Sequence, residues 1–322
     1  MTAPPPDRDP AATRPAPPAA DPRAAAPRSA AGSAGPGADP AAVLAAAAVL
    51  LRDRYVLPDR GRAAADRITA AGYGGTVDAA FCAAVTADLY AVCADRHLRL
   101  AWRADPLDAD AAPARYRAGL ARRHHGVARA ERLPGGPGIV ALSDVGPAAW
   151  IGEALAAAFR AVAGCSALLL DLRDNRGGAA DGAALICSYL LPPEPILVNT
   201  VHRPDGAVRE YRTTVDLPGP RCAAPAWVLT SARTFSGAEE VAYNLRALGR
   251  ATLVGEVTRG GAHPTDVHWL TPHVALHLPY ARSVNPITGT NWEGTGVTPD
   301  VAVPAADAEA AALALAAAAG RG

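Results

Sequence analysis

From Gly138 onward, short apolar runs alternate with longer stretches of helical periodicity, and that alternation restricts the fold more than any other feature of the chain. The runs at residues 138–142, 167–172, 226–231 and 251–257 read as strands, and residues 148–162, 179–191 and 237–248 read as helices. Strands separated by helices need crossover connections, which predicts a mainly parallel sheet with helices packed on it. Residues 196–202 and 208–215 flank Pro204-Asp205-Gly206 and read as a hairpin. Residues 267–279 alternate and predict further strands, and an Ala/Leu helix is expected over residues 306–319.

The preceding chain has a different character. Residues 41–55, 60–71 and 77–93 carry helical patterns, broken at Pro58 and at Gly72–Gly75. A short strand, H-L-R-L-A-W, follows at residues 97–102. Together these predict a small helical domain over residues 40–104. Residues 105–137 are weakly patterned and read as a connecting segment with one helix. The His124–His125 pair within it reads as solvent-exposed, because no spaced third ligand suggests a metal. Residues 1–39 contain no Leu, Ile, Val, Phe, Tyr or Trp, so they cannot bury enough surface to order themselves and are expected to be a disordered tail. They also lack an apolar signal region, which predicts a cytoplasmic chain. The apolar stretch at residues 41–51 is too short to cross a bilayer. Formal net charge is zero, which argues against nucleic acid as a partner. The five cysteines form no C-x-x-C pair and read as reduced core thiols. The resulting organisation is a tail (1–39), a helical domain (40–104), a connector (105–137) and an α/β core (138–322).

Two stretches carry the chemistry. Residues 171–178, D-L-R-D-N-R-G-G, end an apolar run in two glycines. Residues 234–240, T-F-S-G-A-E-E, put Ser236 between a strand end and a helix start. Ser236 is a good helix cap, with Glu239 completing a capping box, and equally a hydroxyl exposed at a sheet edge. The glycines weigh on the second side. They permit positive φ and bare N–H groups, so the amides of Gly178 and Gly237 are candidate oxyanion donors. A nucleophilic serine needs a base. All 31 residues counted as Lys+Arg are arginine, so a serine–lysine dyad is impossible. His97, after Asp95 at the junction of the helical domain and the core, is the preferred base. His263, in a glycine-rich loop, is the alternative. Glu293, in N-W-E-G-T-G, is either an exposed loop charge or the carboxylate that orients the imidazole.

Taken in order, D-R-H-L-R-L at residues 95–100, residues 168–178, 230–250, 253–264 and 292–300 resemble the carboxy-terminal processing (tail-specific) protease family. They are most similar to its branch related to the tricorn core protease and to the repeats of interphotoreceptor retinoid-binding protein. The resemblance implies a crotonase-like core of β-β-α units. It implies Ser236 as nucleophile, Gly178 and Gly237 as oxyanion donors, and His97 as base assisted by Glu293, with no cofactor and no metal. The lysine of the dyad-type relatives falls at Gly261 here. No stretch resembles the inserted PDZ domain of that family.

The expectation is therefore a serine-type peptidase acting on a peptide or small carbonyl substrate. The alternative is a non-catalytic binder of an apolar small molecule in the interdomain cleft, like the retinoid-binding relatives. An acyl-CoA enzyme of the crotonase type is a third reading, which would leave the serine unexplained.

Overall fold

A computed structural model describes residues 38–320. The expectation of disorder for the tail lies outside these residues, apart from Ala38 and Asp39. Asp39 caps the first helix, its carboxylate accepting from the Ala41 N–H at 3.1 Å.

The core is a six-stranded sheet. Its strands are β2 (Val127–Arg132), β3 (Gly138–Leu142), β4 (Leu168–Asp171), β7 (Ala226–Thr230), β8 (Ala251–Gly255) and β12 (Val301–Ala302), in the order β12-β8-β7-β4-β3-β2. Every pairing is parallel except β2 with β3. The crossovers carry helices α5 (Ala148–Ala161), α6 (Ala180–Ser188) and α7 (Gly237–Ala247). Val140, Leu168, Leu170, Val228 and Leu253 point to these helices. Ile139, Leu169, Trp227, Leu229 and Val254 point the other way, onto the final helix α8 (Ala308–Ala319) through Ala308, Ala312 and Ala316. Burial on both faces is why these strands read as continuous apolar runs.

β2 falls in the stretch expected to be a connector with one helix, which is present as α4 (Ala112–Arg122). Its sequence, V-A-R-A-E-R, gives no alternation because it forms the charged edge of the sheet. His124 is exposed as expected, but His125 is half-buried.

The helical region contains α1 (Pro40–Arg54), α2 (Pro58–Ala70) and α3 (Ala79–Cys93), followed by β1 (Arg99–Trp102). Its core is completed by distant residues: Val274, Leu276 and Leu278 pack among Leu51, Ile68, Val85 and Leu89. They belong to β10 (Val274–Pro279), which with β9 (Thr265–Trp269) and β1 forms a three-stranded antiparallel sheet, order β1-β10-β9. The expected hairpin is present as β5 (Leu197–His202) and β6 (Val208–Arg212), with β11 (Arg282–Val284) added to β5. Among the described residues, no helix is long and apolar enough to cross a membrane.

Candidate active site

β4 and β7 are parallel neighbours, so the loops at their carboxyl ends leave the sheet side by side. The loops are tied together. The Phe235 N–H donates to the Asn175 carbonyl at 3.1 Å, and the Thr234 hydroxyl donates to the Leu172 carbonyl at 2.9 Å. Ser236 then starts α7 with φ 55° and ψ −123°. For a non-glycine residue such a conformation costs about 1–3 kcal/mol and persists only where the surroundings enforce it. Gly177 (φ 90°) is part of that enforcement: a Cβ there would lie 2.7 Å from the Ser236 Cβ and 2.5 Å from the Phe235 carbonyl oxygen. Gly178 (φ 146°) is equally restricted, since a Cβ would meet the Val145 carbonyl oxygen at 1.9 Å. Val145 bonds the flanking residues, donating to Gly177 and accepting from Ala179. The Gly178 N–H is left with no acceptor among the described residues, and the Gly237 N–H belongs to the unsatisfied first turn of α7. A Cβ on Gly237 would sit 3.0 Å from the Gly178 nitrogen, so the two amides stand together beside Ser236.

His97 sits in the bend just before β1, and the next residue, Leu98, enters the helical core together with Leu100. The His97 Nε2 lies 3.0 Å from the Ser236 Oγ. Its ring stacks on Phe235 at 4.4 Å between centroids. Burial pulls the imidazole down to about 4, so it is neutral at neutral pH and can accept a proton. Its Nδ1 is buried without a partner.

Around it lies a buried acid–base cluster. Asp95 accepts from the Tyr55 hydroxyl at 3.0 Å, the His97 N–H at 2.9 Å and the His263 Nδ1 at 2.7 Å. Burial pushes the Asp95 carboxyl up, but these donors, His263 foremost, outweigh it and hold it below the usual range. Burial pulls His263 down, and Asp95 with Glu293 outweighs that and raises it, which favours the imidazolium. Glu293 accepts from the Ala262 N–H at 2.5 Å and lies 3.7 Å from the His263 Nδ1. Burial pushes its carboxyl up to about 7, and its Oε1 has no partner.

Of the residues expected from sequence, Ser236, His97, Gly178, Gly237, Glu293 and His263 all fall within this region. Glu293 is not hydrogen-bonded to His97, although ligand atoms of Asp95, His97 and Glu293 all lie within 4.8 Å of one another. That spacing is within reach of a single cation, although both Asp95 oxygens already accept hydrogen bonds. His263 binds Asp95 and has no hydrogen bond to Ser236.

Glu239 has a larger structural role than the capping box suggested. It is fully buried and accepts four hydrogen bonds: from the N–H groups of Ser236 (2.7 Å), Gly260 (2.6 Å) and Gly261 (2.9 Å) and from the Thr258 hydroxyl. One carboxylate thus fastens the strained serine to the glycine loop behind it. The S-x-x-E spacing signalled only the bond to Ser236. A glutamine amide in its place has a single acceptor oxygen, so Glu239→Gln leaves buried donors unpaired. The expected loss is about 2–4 kcal/mol of unfolding free energy, read by urea denaturation, with a fall in Ser236 reactivity.

The sequence profile of Peptidase family S41 matches residues 138–303, just over half of the chain, and the chain belongs to that family. The matched stretch contains Ser236 and both glycines but not His97. A carboxy-terminal-processing protease of Bartonella bacilliformis is 30% identical over 135 residues, which is 42% of this chain and 30% of the relative. Carboxyl-terminal-processing peptidase 1 of Arabidopsis thaliana, a chloroplastic protein, is 30% identical over 137 residues, covering 42% of this chain and 27% of its own length. The chain thus aligns with under a third of the length of these curated relatives. Among solved structures, a photosystem II D1 C-terminal processing protease aligns over 84% of this chain and 94% of its own, at 16% identity and a TM-score of 0.51. A lipoprotein from Streptococcus agalactiae aligns over 88% and 97%, at 12% identity and a TM-score of 0.58. At these identities the two structures speak for a shared fold.

Proposed function

We propose that the chain is a serine peptidase in which Ser236 is the nucleophile and His97 the general base. One observation carries this reading: a serine hydroxyl held at positive φ lies 3.0 Å from the ring nitrogen of a neutral, buried histidine. As Ser236 attacks a carbonyl, its proton passes to the His97 Nε2. The oxyanion forms against the amides of Gly178 and Gly237. The imidazolium then returns the proton to the leaving amine, and water repeats the cycle on the acyl-enzyme. Neutral His97 accepting the Ser236 hydroxyl at Nε2 carries its hydrogen on Nδ1. The unpartnered Glu293 Oε1 is the nearby acceptor for it, and ionised Glu293 offsets the charge that His97 gains. Asp95 holds the His97 backbone, and His263 bridges Asp95 to Glu293. Family membership supports a peptide substrate. The parallel sheet with its helices supports a crotonase-like core, and α4 with β2 occupies the connector where no PDZ domain is expected.

A fluorophosphonate probe tests the reading directly. The protein is expected to be labelled on Ser236, and a folded sample that stays unlabelled contradicts the assignment.

The cluster also sets a pH dependence. With its carboxyl pushed up to about 7, Glu293 is protonated on the acid side of that value and then cannot stabilise imidazolium. Activity is therefore expected to fall as the pH drops through about 7, as one limb of the coupled His97–His263–Glu293 set. In Glu293→Gln that limb should move toward about 4, where His97 itself takes a proton. The kcat should also fall by about 10²-fold. Profiles of kcat/KM against pH for both proteins decide it: an acid limb unmoved in Glu293→Gln assigns it elsewhere.

A further inference from the structure

Asp95, His97 and Glu293 each spend one polar atom on the protein and keep another in reserve. The His97 Nε2 lies 3.0 Å from the Ser236 Oγ, and its Nδ1 has no partner. The Glu293 Oε2 accepts from the Ala262 N–H at 2.5 Å, and its Oε1 has no partner. The Asp95 Oδ2 accepts from the Tyr55 hydroxyl and from the His263 Nδ1. The Asp95 Oδ1 accepts from the His97 N–H, which leaves that oxygen a second lone pair. One ligand atom of each residue lies within 4.8 Å of those of the other two. His97 is 7% exposed and Asp95 1%, so bulk water does not satisfy the atoms held in reserve. The Glu293 side chain, 17% exposed, gives the group its opening to solvent.

Protein metal sites are organised in this way. The ligating imidazole and carboxylates are held by hydrogen bonds at their other polar atoms, which fixes the donor left for the ion. Here Ser236 holds His97, Ala262 holds Glu293, and Tyr55 with His263 holds Asp95. The peptidase reading places one proton between the His97 Nδ1 and the Glu293 Oε1, and a cation would stand where that proton does. One imidazole nitrogen and two carboxylate oxygens suit Zn²⁺, which commonly takes three protein ligands and a water. Mg²⁺ prefers oxygen donors in an octahedron and keeps most of its own water, so the same three atoms suit it poorly.

We propose that the Asp95 Oδ1, the His97 Nδ1 and the Glu293 Oε1 form an inhibitory site for a divalent transition-metal ion of the Zn²⁺ type. This inference rests on the peptidase reading and adds to it a means of switching the site off. A neutral imidazole has one ring hydrogen. In the active form it is on Nδ1, and the Nε2 lone pair is free to take the Ser236 proton. A cation at Nδ1 uses the lone pair of that nitrogen, so the ring gives up its hydrogen there and gains one at Nε2. The Nε2–H then donates to the Ser236 Oγ, and no base remains for the hydroxyl proton. The imidazolium of His263 opposes a second cation. It can release its Nε2 proton to solvent and keep the Nδ1–H bond to Asp95, so the Asp95 carboxylate stays in place with one positive charge fewer beside it.

The test titrates metal-free, full-length protein with zinc chloride in a calorimeter and follows the rate of fluorophosphonate labelling across the same titration. Zn²⁺ should bind in a single stoichiometric step. At saturation, labelling should slow by about 10²-fold or more, because the base is lost. The two midpoints should coincide, a chelator should restore the rate, and magnesium chloride at the same concentration should do neither. Glu293→Gln keeps the shape of the side chain and an oxygen for the Ala262 N–H, and presents an amide NH₂ in place of the second oxygen. Its affinity for Zn²⁺ should fall by about 10- to 100-fold. If that variant fails to melt cooperatively, His97→Gln replaces it in the calorimeter. Four results each overturn the site: no stoichiometric binding, binding undiminished in the folded variant, binding that leaves the labelling rate unchanged, or equal inhibition by Mg²⁺. The two claims fail separately. A protein that labels at one rate with and without Zn²⁺ loses only the metal site, and one that never labels loses the peptidase reading while calorimetry on the wild type and the variant still reads the metal site.

Discussion

Ser236→Ala is expected to abolish fluorophosphonate labelling and to lower peptide turnover by about 10⁴–10⁶-fold, with His97→Ala close behind. The double variant should be no worse than the worse single one, because nucleophile and base act as a unit and removing either removes the step. The size of the effect separates two roles that coincide at Ser236. A serine that only caps α7 loses about 1 kcal/mol of stability on truncation and has no reason to react. Here the hydroxyl meets the His97 Nε2, and Glu239 satisfies the Ser236 N–H. Ser236→Gly makes the contrast sharper. Glycine adopts φ 55° without strain. The variant should therefore melt at or above the wild-type temperature while remaining inert, which is the behaviour of a residue kept strained for reactivity. A Ser236→Ala protein that still turns over the substrate at a hundredth of the wild-type rate or faster would place the chemistry on another residue.

The sequence made legible what depends on local pattern. Strands β4, β7 and β8 are buried on both faces by helices, so they stand out as apolar runs, and the glycines at 177 and 178 mark a turn no other residue fits. Ser236 stood out because its flanking strand and helix were each clear. What escaped depends on contacts far apart in sequence. β2 is polar because it is an edge, and its pairing with β3 leaves no periodic mark. Residues 267–279 read as strands, but not as the partners of β1 that complete the helical core through Val274, Leu276 and Leu278. Glu239 showed its bond to Ser236 through a three-residue spacing. Its bonds to Gly260 and Gly261 cross from α7 to a loop 21 and 22 residues away, where no spacing rule reaches. The Asp95–His263 pair spans 168 residues and is invisible for the same reason.

Gly261→Ala is expected to lower kcat by about 10²–10³-fold while leaving a folded protein, because the added methyl group competes with the base for space. Gly261 is not held at positive φ, so alanine is acceptable to the backbone. The obstacle is packing: a Cβ would lie 2.3 Å from the Phe235 Cε2, 2.5 Å from its Cζ and 2.7 Å from the His97 Cε1. The loop has little freedom to retreat, since the Gly261 N–H is bound by Glu239 and its carbonyl by the Trp292 indole N–H at 2.8 Å. The rings must move instead. Cε1 is bonded to Nε2, so a push there shifts the nitrogen that stands 3.0 Å from the Ser236 Oγ. By the same geometry, His97 where it stands and a side chain at position 261 exclude one another. A lysine at 261 would begin in the volume that the His97–Phe235 stack fills. Truncating the second ring should therefore rescue the first: Phe235→Leu added to Gly261→Ala should restore part of the lost kcat, although Phe235→Leu alone lowers it. That change of sign is read from a double-mutant cycle in kcat. Additive losses would mean that Gly261 and Phe235 affect the base independently, and the steric account would fail.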